Sequence, residues 1–233
     1  MLEVNGLHTH YGRAEILNDV SFAIGRGEVA ALLGRNGAGK STTLKSIMGL
    51  VRVSKGEIVF DGQSIRHKRP FEIARRGLGY VPEDRRIFTS LTVEENLDAA
   101  RQPPRADAPA WTLERIFDLF PNLAERLKSS ARAMSGGEQQ MLTVARTLMG
   151  NPRAILLDEP SEGLAPVIVE QMARALQELK SAGVTVLLSE QNLHFAGLIA
   201  TQAIVIEKGR IRYVGTMDEI AKDEALHAAY LTV

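Results

Sequence analysis

Five apolar residues, Val29-Ala30-Ala31-Leu32-Leu33, run straight into Gly34-Arg35-Asn36-Gly37-Ala38-Gly39-Lys40-Ser41. Thr42, Leu44, Ile47 and Met48 then recur at helical spacing before Gly49. The apolar run reads as a buried strand and the periodic stretch as a helix stopped by glycine. Between a strand and a helix, G-x-x-x-x-G-K-[ST] is the phosphate loop. Glycines let backbone N–H groups close around phosphate oxygens with no Cβ in the way, and the helix N-terminus adds positive potential. Lys40 is then placed to reach the β- and γ-phosphates, and Ser41 to bind Mg²⁺. A plain glycine-rich turn is the alternative, and the strand–loop–helix context argues against it.

The remaining pattern predicts an α/β fold. Residues 57–60 before Asp61-Gly62 read as a strand entering a hairpin. Gln102–Pro109 is a loop, and Leu113, Ile116, Phe117 and Phe120 mark one helix face stopped by Pro121. Strands are expected at Ala154–Leu157 and Val184–Leu188, around a helix opened by Pro166 with Ile168, Met172, Ala175 and Leu179 on one face. Ala203–Glu207 and Arg210–Val214 flank Lys208-Gly209 as a closing hairpin. Such alternation implies a mostly parallel sheet covered on both faces.

Composition removes several function classes. Lys+Arg and Asp+Glu balance at 28 each, which gives no support to a general electrostatic grip on nucleic acid. With no cysteine there is no disulfide framework, thiolate metal site or cysteine nucleophile. No apolar stretch approaches the ~20 residues of a membrane span. Met1–His10 lacks the features of a signal peptide, so a cytosolic chain, or one held on a membrane through a partner, is expected.

Ile155-Leu156-Leu157-Asp158-Glu159 ends an apolar strand in two carboxylates, one suited to Mg²⁺ and one to orienting or deprotonating water. Alone this is a weak signal, because buried strands often end in acidic residues; beside the phosphate loop it is strong. Ser135-Gly136-Gly137-Glu138-Gln139-Gln140 has the S-x-x-E spacing of a capping box, with Met141, Ala145 and Leu148 on one face. The two glycines are expected to leave that helix N-terminus unobstructed for an anion.

Taken in order, the loop, the signature from Met134 and Asp158-Glu159 make the chain resemble the ATPase subunit of ABC transporters from end to end. Met134–Leu142, Val81-Pro82-Glu83, Gly163-Leu164-Ala165-Pro166, Glu190-Gln191-Asn192 and the tail Ala228-Ala229-Tyr230-Leu231 look like the second ATPase of branched-chain amino acid importers. The resemblance implies a P-loop NTPase core with a mostly parallel sheet, an antiparallel β subdomain and an inserted helical lobe. One domain, 1–233, would divide into a nucleotide-binding core (1–86 and 151–233) and a helical lobe (87–150).

It further implies that Tyr11 stacks on adenine, and that Gly34, Asn36–Ser41 and Thr42 hold the phosphates. Ser41 and Asp158 would hold Mg²⁺, with Glu159 and Gln191 catalytic. Ser135, Gly136 and Gly137 would close over ATP held by another subunit. Implied partners are a second ABC ATPase, like or unlike, and two membrane permeases, docked on the loop from Glu83 through Leu97. A solute-binding protein would act indirectly, no nucleic acid would take part, and the site of action would be the cytoplasmic membrane face.

Three positions depart from the general family pattern. Glu83 replaces a glutamine, Ala165 an aspartate and Gln191 the switch histidine; all three look typical of this importer branch. A carboxylate at 83 adds negative charge near the phosphates. Soluble ABC ATPases acting on DNA or ribosomes carry two cassettes or a coiled-coil insertion, but Ser135 stands only 95 residues after Lys40. A regulatory module that binds nucleotide without turnover is disfavoured by Glu159. Importers of amides, urea or aromatic acids remain open. His8 with His10 reads as a polar strand face, His194 as a helix-surface residue, Lys68-Arg69 and Arg75-Arg76 as solvated face, and Trp111 as packing.

Overall fold

The computed structural model describes residues 1–222, so the tail motif Ala228–Leu231 lies outside the described residues. β1 (Leu2–Tyr11) and β2 (Ala14–Ile24) form a hairpin, and β3 (Val29–Leu33) leads into α1 (Lys40–Ile47). A second hairpin joins β4 (Val53–Phe60) to β5 (Gln63–Ser64), and α2 (Pro70–Arg75) precedes β6 (Leu78–Val81). Next come α3 (Val93–Ala99), α4 (Leu113–Leu119), α5 (Pro121–Glu125) and α6 (Gly136–Leu148), with a 3-10 turn at Ala131–Ala133. β7 (Ala154–Asp158), α7 (Pro166–Ser181), β8 (Thr185–Glu190) and α8 (Leu193–Gly197) resume the alternation. β9 (Gln202–Glu207), β10 (Arg210–Thr216) and α9 (Met217–Lys222) close it.

The strands build two sheets. One is antiparallel and four-stranded, in the order β2-β1-β4-β5. The other has six strands in the order β10-β9-β3-β8-β7-β6; all its pairings are parallel except β10 with β9. This is the mixed architecture expected, with the phosphate loop leaving a central strand.

Burial explains the near-continuous apolar runs. Val29, Ala31 and Leu33 of β3 join Ile155 and Leu157 of β7 and Val186 and Leu188 of β8 in one cluster, with α6, α7 and the helices that follow β6. Ala30, Leu32, Leu156 and Leu187 face the opposite way, onto α1 and the four-stranded sheet. Both faces are dry, so period-two alternation disappears from these strands. Pro121, expected only to stop α4, also opens α5 at its first position, where a missing N–H costs nothing. Among the described residues no helix is long and apolar enough to cross a membrane.

Candidate functional site

The loop after β3 turns over the carboxyl end of the six-stranded sheet. Gly39 caps α1 at φ 113°, a conformation that side chains rarely adopt. Gly34 lies so close under the Ile206 carbonyl that a Cβ there would collide with it. Lys40, 3% exposed, donates from Nζ to Gly34 O at 2.8 Å and Arg35 O at 3.2 Å. A cavity of about 440 Å³ opens above the loop. Of the expected residues it takes in Tyr11, Asn36, Gly37, Gly39–Thr42, Glu83 and Glu159. Gly34, Ala38 and Asp158 are buried and do not line it. Tyr11 is 49% exposed at this cavity, which leaves its ring available for stacking rather than packed within its sheet.

The carboxylates arrive by strand register. β7 and β8 pair Asp158 with Ser189, whose Oγ donates to Asp158 Oδ1 at 2.7 Å. Tyr80 OH donates to Oδ2 at 3.1 Å. Burial, then the Asp158 charge, pushes the Tyr80 phenol well above its ordinary value. Glu159 follows at φ 47°, in the left-handed region, the kind of local strain that accumulates at functional sites. Its Oε1 pairs with Lys40 Nζ at 3.0 Å and its Oε2 accepts from Gln191 Nε2 at 2.9 Å.

Burial works to raise the Glu159 carboxyl, but bonds from Gln191 and Lys40, with the Lys40 charge, hold it below the ordinary carboxylate range. Glu162, which shares a hydrogen bond with it, is displaced upward by that bond, by burial and by the charges of Glu159 and Glu83. Gln191 therefore meets Glu159 directly, although it is exposed and does not line the cavity; His194, also exposed, lies on α8.

Ser135, Gly136 and Gly137 do not line this cavity; they open α6 elsewhere on the chain. The capping box is present, with Glu138 N donating to Ser135 Oγ at 3.3 Å and Ser135 N to Glu138 Oε2 at 2.7 Å. The two glycines lie beside side chains from other elements. A Cβ on Gly136 would stand 2.5 Å from Arg85 Nη1, and one on Gly137 3.0 Å from Ile168 Cγ1. The glycines let these two side chains close on the helix end, while Ser135 itself stays exposed.

Sequence reasoning passed over Tyr80, Ser189 and Glu162. Ser189 carried a signal, because aligning the two apolar strands at their carboxyl ends sets it beside Asp158. Tyr80 and Glu162 carried none. The residues set aside behave as expected: His8 Nδ1 lies 3.0 Å from Glu15 and His10 Nδ1 3.2 Å from Ser54 Oγ. No cluster of metal-ligating side chains occurs among the described residues. Trp111 is buried beneath the Arg115 guanidinium, and Arg69 and Arg75 cover the Phe71 ring.

Comparison with known proteins follows the same lines. The sequence profile of the ABC transporter family matches residues 17–162. The high-affinity branched-chain amino acid transport ATP-binding protein BraG of Pseudomonas aeruginosa is 41% identical over 231 residues, 99% of each chain. The lipopolysaccharide export system ATP-binding protein LptB of Haemophilus influenzae is 34% identical over 233 residues, covering 99% of this chain and 97% of that one. A solved ATP-binding subunit of an ABC transporter superposes with a TM-score of 0.82 at 32% identity, over 99% of this chain and 96% of the other.

Proposed function

The chain belongs to the ABC transporter family and is an ATP-binding ATPase; from that premise we propose that it energises a membrane importer of branched-chain or similar amino acids. The full-length identity to BraG carries this reading. The resemblance to LptB, somewhat lower over the same length, favours an exporter as the second reading. The test is uptake by the chain assembled with membrane permeases and a solute-binding protein of a branched-chain amino acid importer. Labelled leucine import that needs Lys40 supports the reading. Transport of amides, urea or aromatic acids redirects it to a related importer, and outward lipid transport overturns it.

The mechanism rests on the cavity. Tyr11 stacks on adenine, and the loop amides with Asn36, Thr42 and Lys40 hold the phosphates. Mg²⁺ suits the all-oxygen donors Ser41 and Asp158, and when bound it neutralises charge building on the phosphate oxygens. Glu159 takes a proton from the attacking water. Gln191 orients that carboxylate and donates to the γ-phosphate as a neutral amide, without titrating. Glu83 faces the same phosphate end.

Ser135–Gly137 of a second subunit complete the site in trans, so ATP draws two ATPase chains together and hydrolysis releases them. Mixing a Lys40→Ala chain with a Ser135→Arg chain restores one intact composite site if like chains pair. No recovery in mixed dimers shown to be present counts against closure in trans; a heteromeric partner calls for the same test on that pair.

In this reading residues 87–150 form a helical lobe against the core of 1–86 and 151–233, and the subunit sits on the cytoplasmic membrane face. The permease docks along Glu83–Leu97. Exposed Phe88 supports a helix seated there, and Arg146, whose guanidinium lies 4.7 Å from the Phe88 ring, joins that segment to a neighbouring apolar groove of about 390 Å³ lined by Leu50, Phe71 and Ala100.

A further inference from the structure

Glu190 ends β8, is 2% exposed, and takes no part in the mechanism above. Among the described residues no cation pairs with it. A buried carboxylate without a cation is costly, and a neutral side chain would fill the same space at lower cost. Its two oxygens show what it does there. Oε1 accepts from Ser161 N at 3.1 Å and Oε2 from Asn192 N at 3.3 Å.

Ser161 stands two residues after Glu159, in the loop leaving β7. Asn192 stands one residue after Gln191, in the loop leaving β8. Glu159 and Gln191 meet at 2.9 Å. The backbone and these bonds form a closed ring with Glu190 at its base. We propose that Glu190 is a positioning residue that clamps the loop after β7 to the loop after β8, and so sets Glu159 and Gln191 against the γ-phosphate. The proposal rests on the assignment of Glu159 as the base.

The clamp needs both oxygens as strong acceptors, which an ionised carboxylate supplies; protonation turns one oxygen into a donor and a much weaker acceptor. Burial, together with the Glu159 charge, pushes this carboxyl up to about 7 against the bonds from Ser161 and Asn192. Of the charged groups around it, Glu159 opposes its ionisation, and Glu159 is itself neutralised by Lys40 of α1. The clamp therefore engages as pH rises through neutrality.

The test is kcat and KM for ATP between pH 6 and 9 in the assembled transporter, for the parent, Glu190→Gln, Glu190→Asp and Glu159→Gln. Glu190→Gln fills the same volume but offers one acceptor, a permanent copy of the protonated state. Its kcat at pH 8 should fall about tenfold, less than the ~10²-fold that follows a 1 Å misplacement. Its KM should stay within about twofold, and the parent's loss of turnover below pH ~7 should be absent. Glu190→Asp keeps the charge but is one methylene too short to span both loops, so it should be slow and still pH-dependent. Melting temperatures report folding separately, and if the glutamine variant does not fold the aspartate variant carries the test. Parent-like kcat and pH profile in whichever variant folds overturn the proposal. Parent-like turnover in Glu159→Gln overturns the underlying assignment instead.

Discussion

Lys40 and Glu159, which the proposed mechanism assigns to phosphate and to the attacking water, pair with each other. Lys40 Nζ and Glu159 Oε1 lie 3.0 Å apart, 3% and 6% exposed. At an effective dielectric of about 20 the gross attraction is about 5 kcal/mol. ATP replaces one anion by another at Lys40, so most of this cancels on binding. What remains is the cost of leaving Glu159 partly buried without its cation, about 1–3 kcal/mol. Glu159→Gln removes that cost and should tighten ATP binding roughly 5- to 150-fold. The same change should slow turnover by about 10²–10⁴-fold through the lost base. Equilibrium titration with a fluorescent ATP analogue, compared with single-turnover phosphate release, reads both effects on one sample. Slow turnover with unchanged or weaker ATP binding would refute the reasoning, because the ion pair would then not compete with nucleotide.

Gln191→Ala should lower turnover more than ATP affinity, while His194→Ala leaves both near the parent; steady-state kinetics showing loss only in the His194 variant reverses the assignment. Tyr80→Phe removes one donor to Asp158 and should cost about 1 kcal/mol, a fall of roughly 2–4 °C in melting temperature. An unchanged melting temperature would mean that this hydrogen bond contributes nothing to stability. Gly209→Ala puts a Cβ against the Ile16 carbonyl at φ 73° and should cost about 2 kcal/mol or more, whereas Gly136→Ala meets only the movable end of Arg85 and should cost less than about 1 kcal/mol. Equal losses in thermal melts of the two variants would discredit that distinction.

Much of the phosphate site could be read from residue order, because strand, loop and helix are consecutive in the chain. Gly34–Ser41 announces itself by its own spacing, although Ile206 packs against Gly34 and Gly209 N donates to the Ala38 carbonyl. The antiparallel sheet was different. β1 and β2 break their alternation at repeated register shifts, with Gly6 and Asp19 at positive φ, so no clean period-two pattern survives. The helices α3 and α5, of seven and five residues, are too short to show a moment. Arg85 on Gly136 was invisible for another reason: its loop bends back at positive φ on Arg85 and Arg86, and Thr143 Oγ1 ties it down at the Arg85 carbonyl. Backbone reversals of that kind belong to tertiary context, and nothing in local propensity announces them.

β6 and β7 are neighbours in the sheet although residues 82–153 separate them. The chain thus leaves the sheet and returns to it through one doorway, two strands wide. For a flexible excursion, doubling the length adds only about 0.6 kcal/mol to the cost of closing it. A length change in this excursion, kept clear of its packed helices, therefore taxes the sheet little and leaves the phosphate loop, which departs from β3 two strands away, undisturbed. The fold can accept partners of different shape by retailoring what hangs in the doorway, provided that Glu83 and Ser135–Gly137, which lie within it, keep their places.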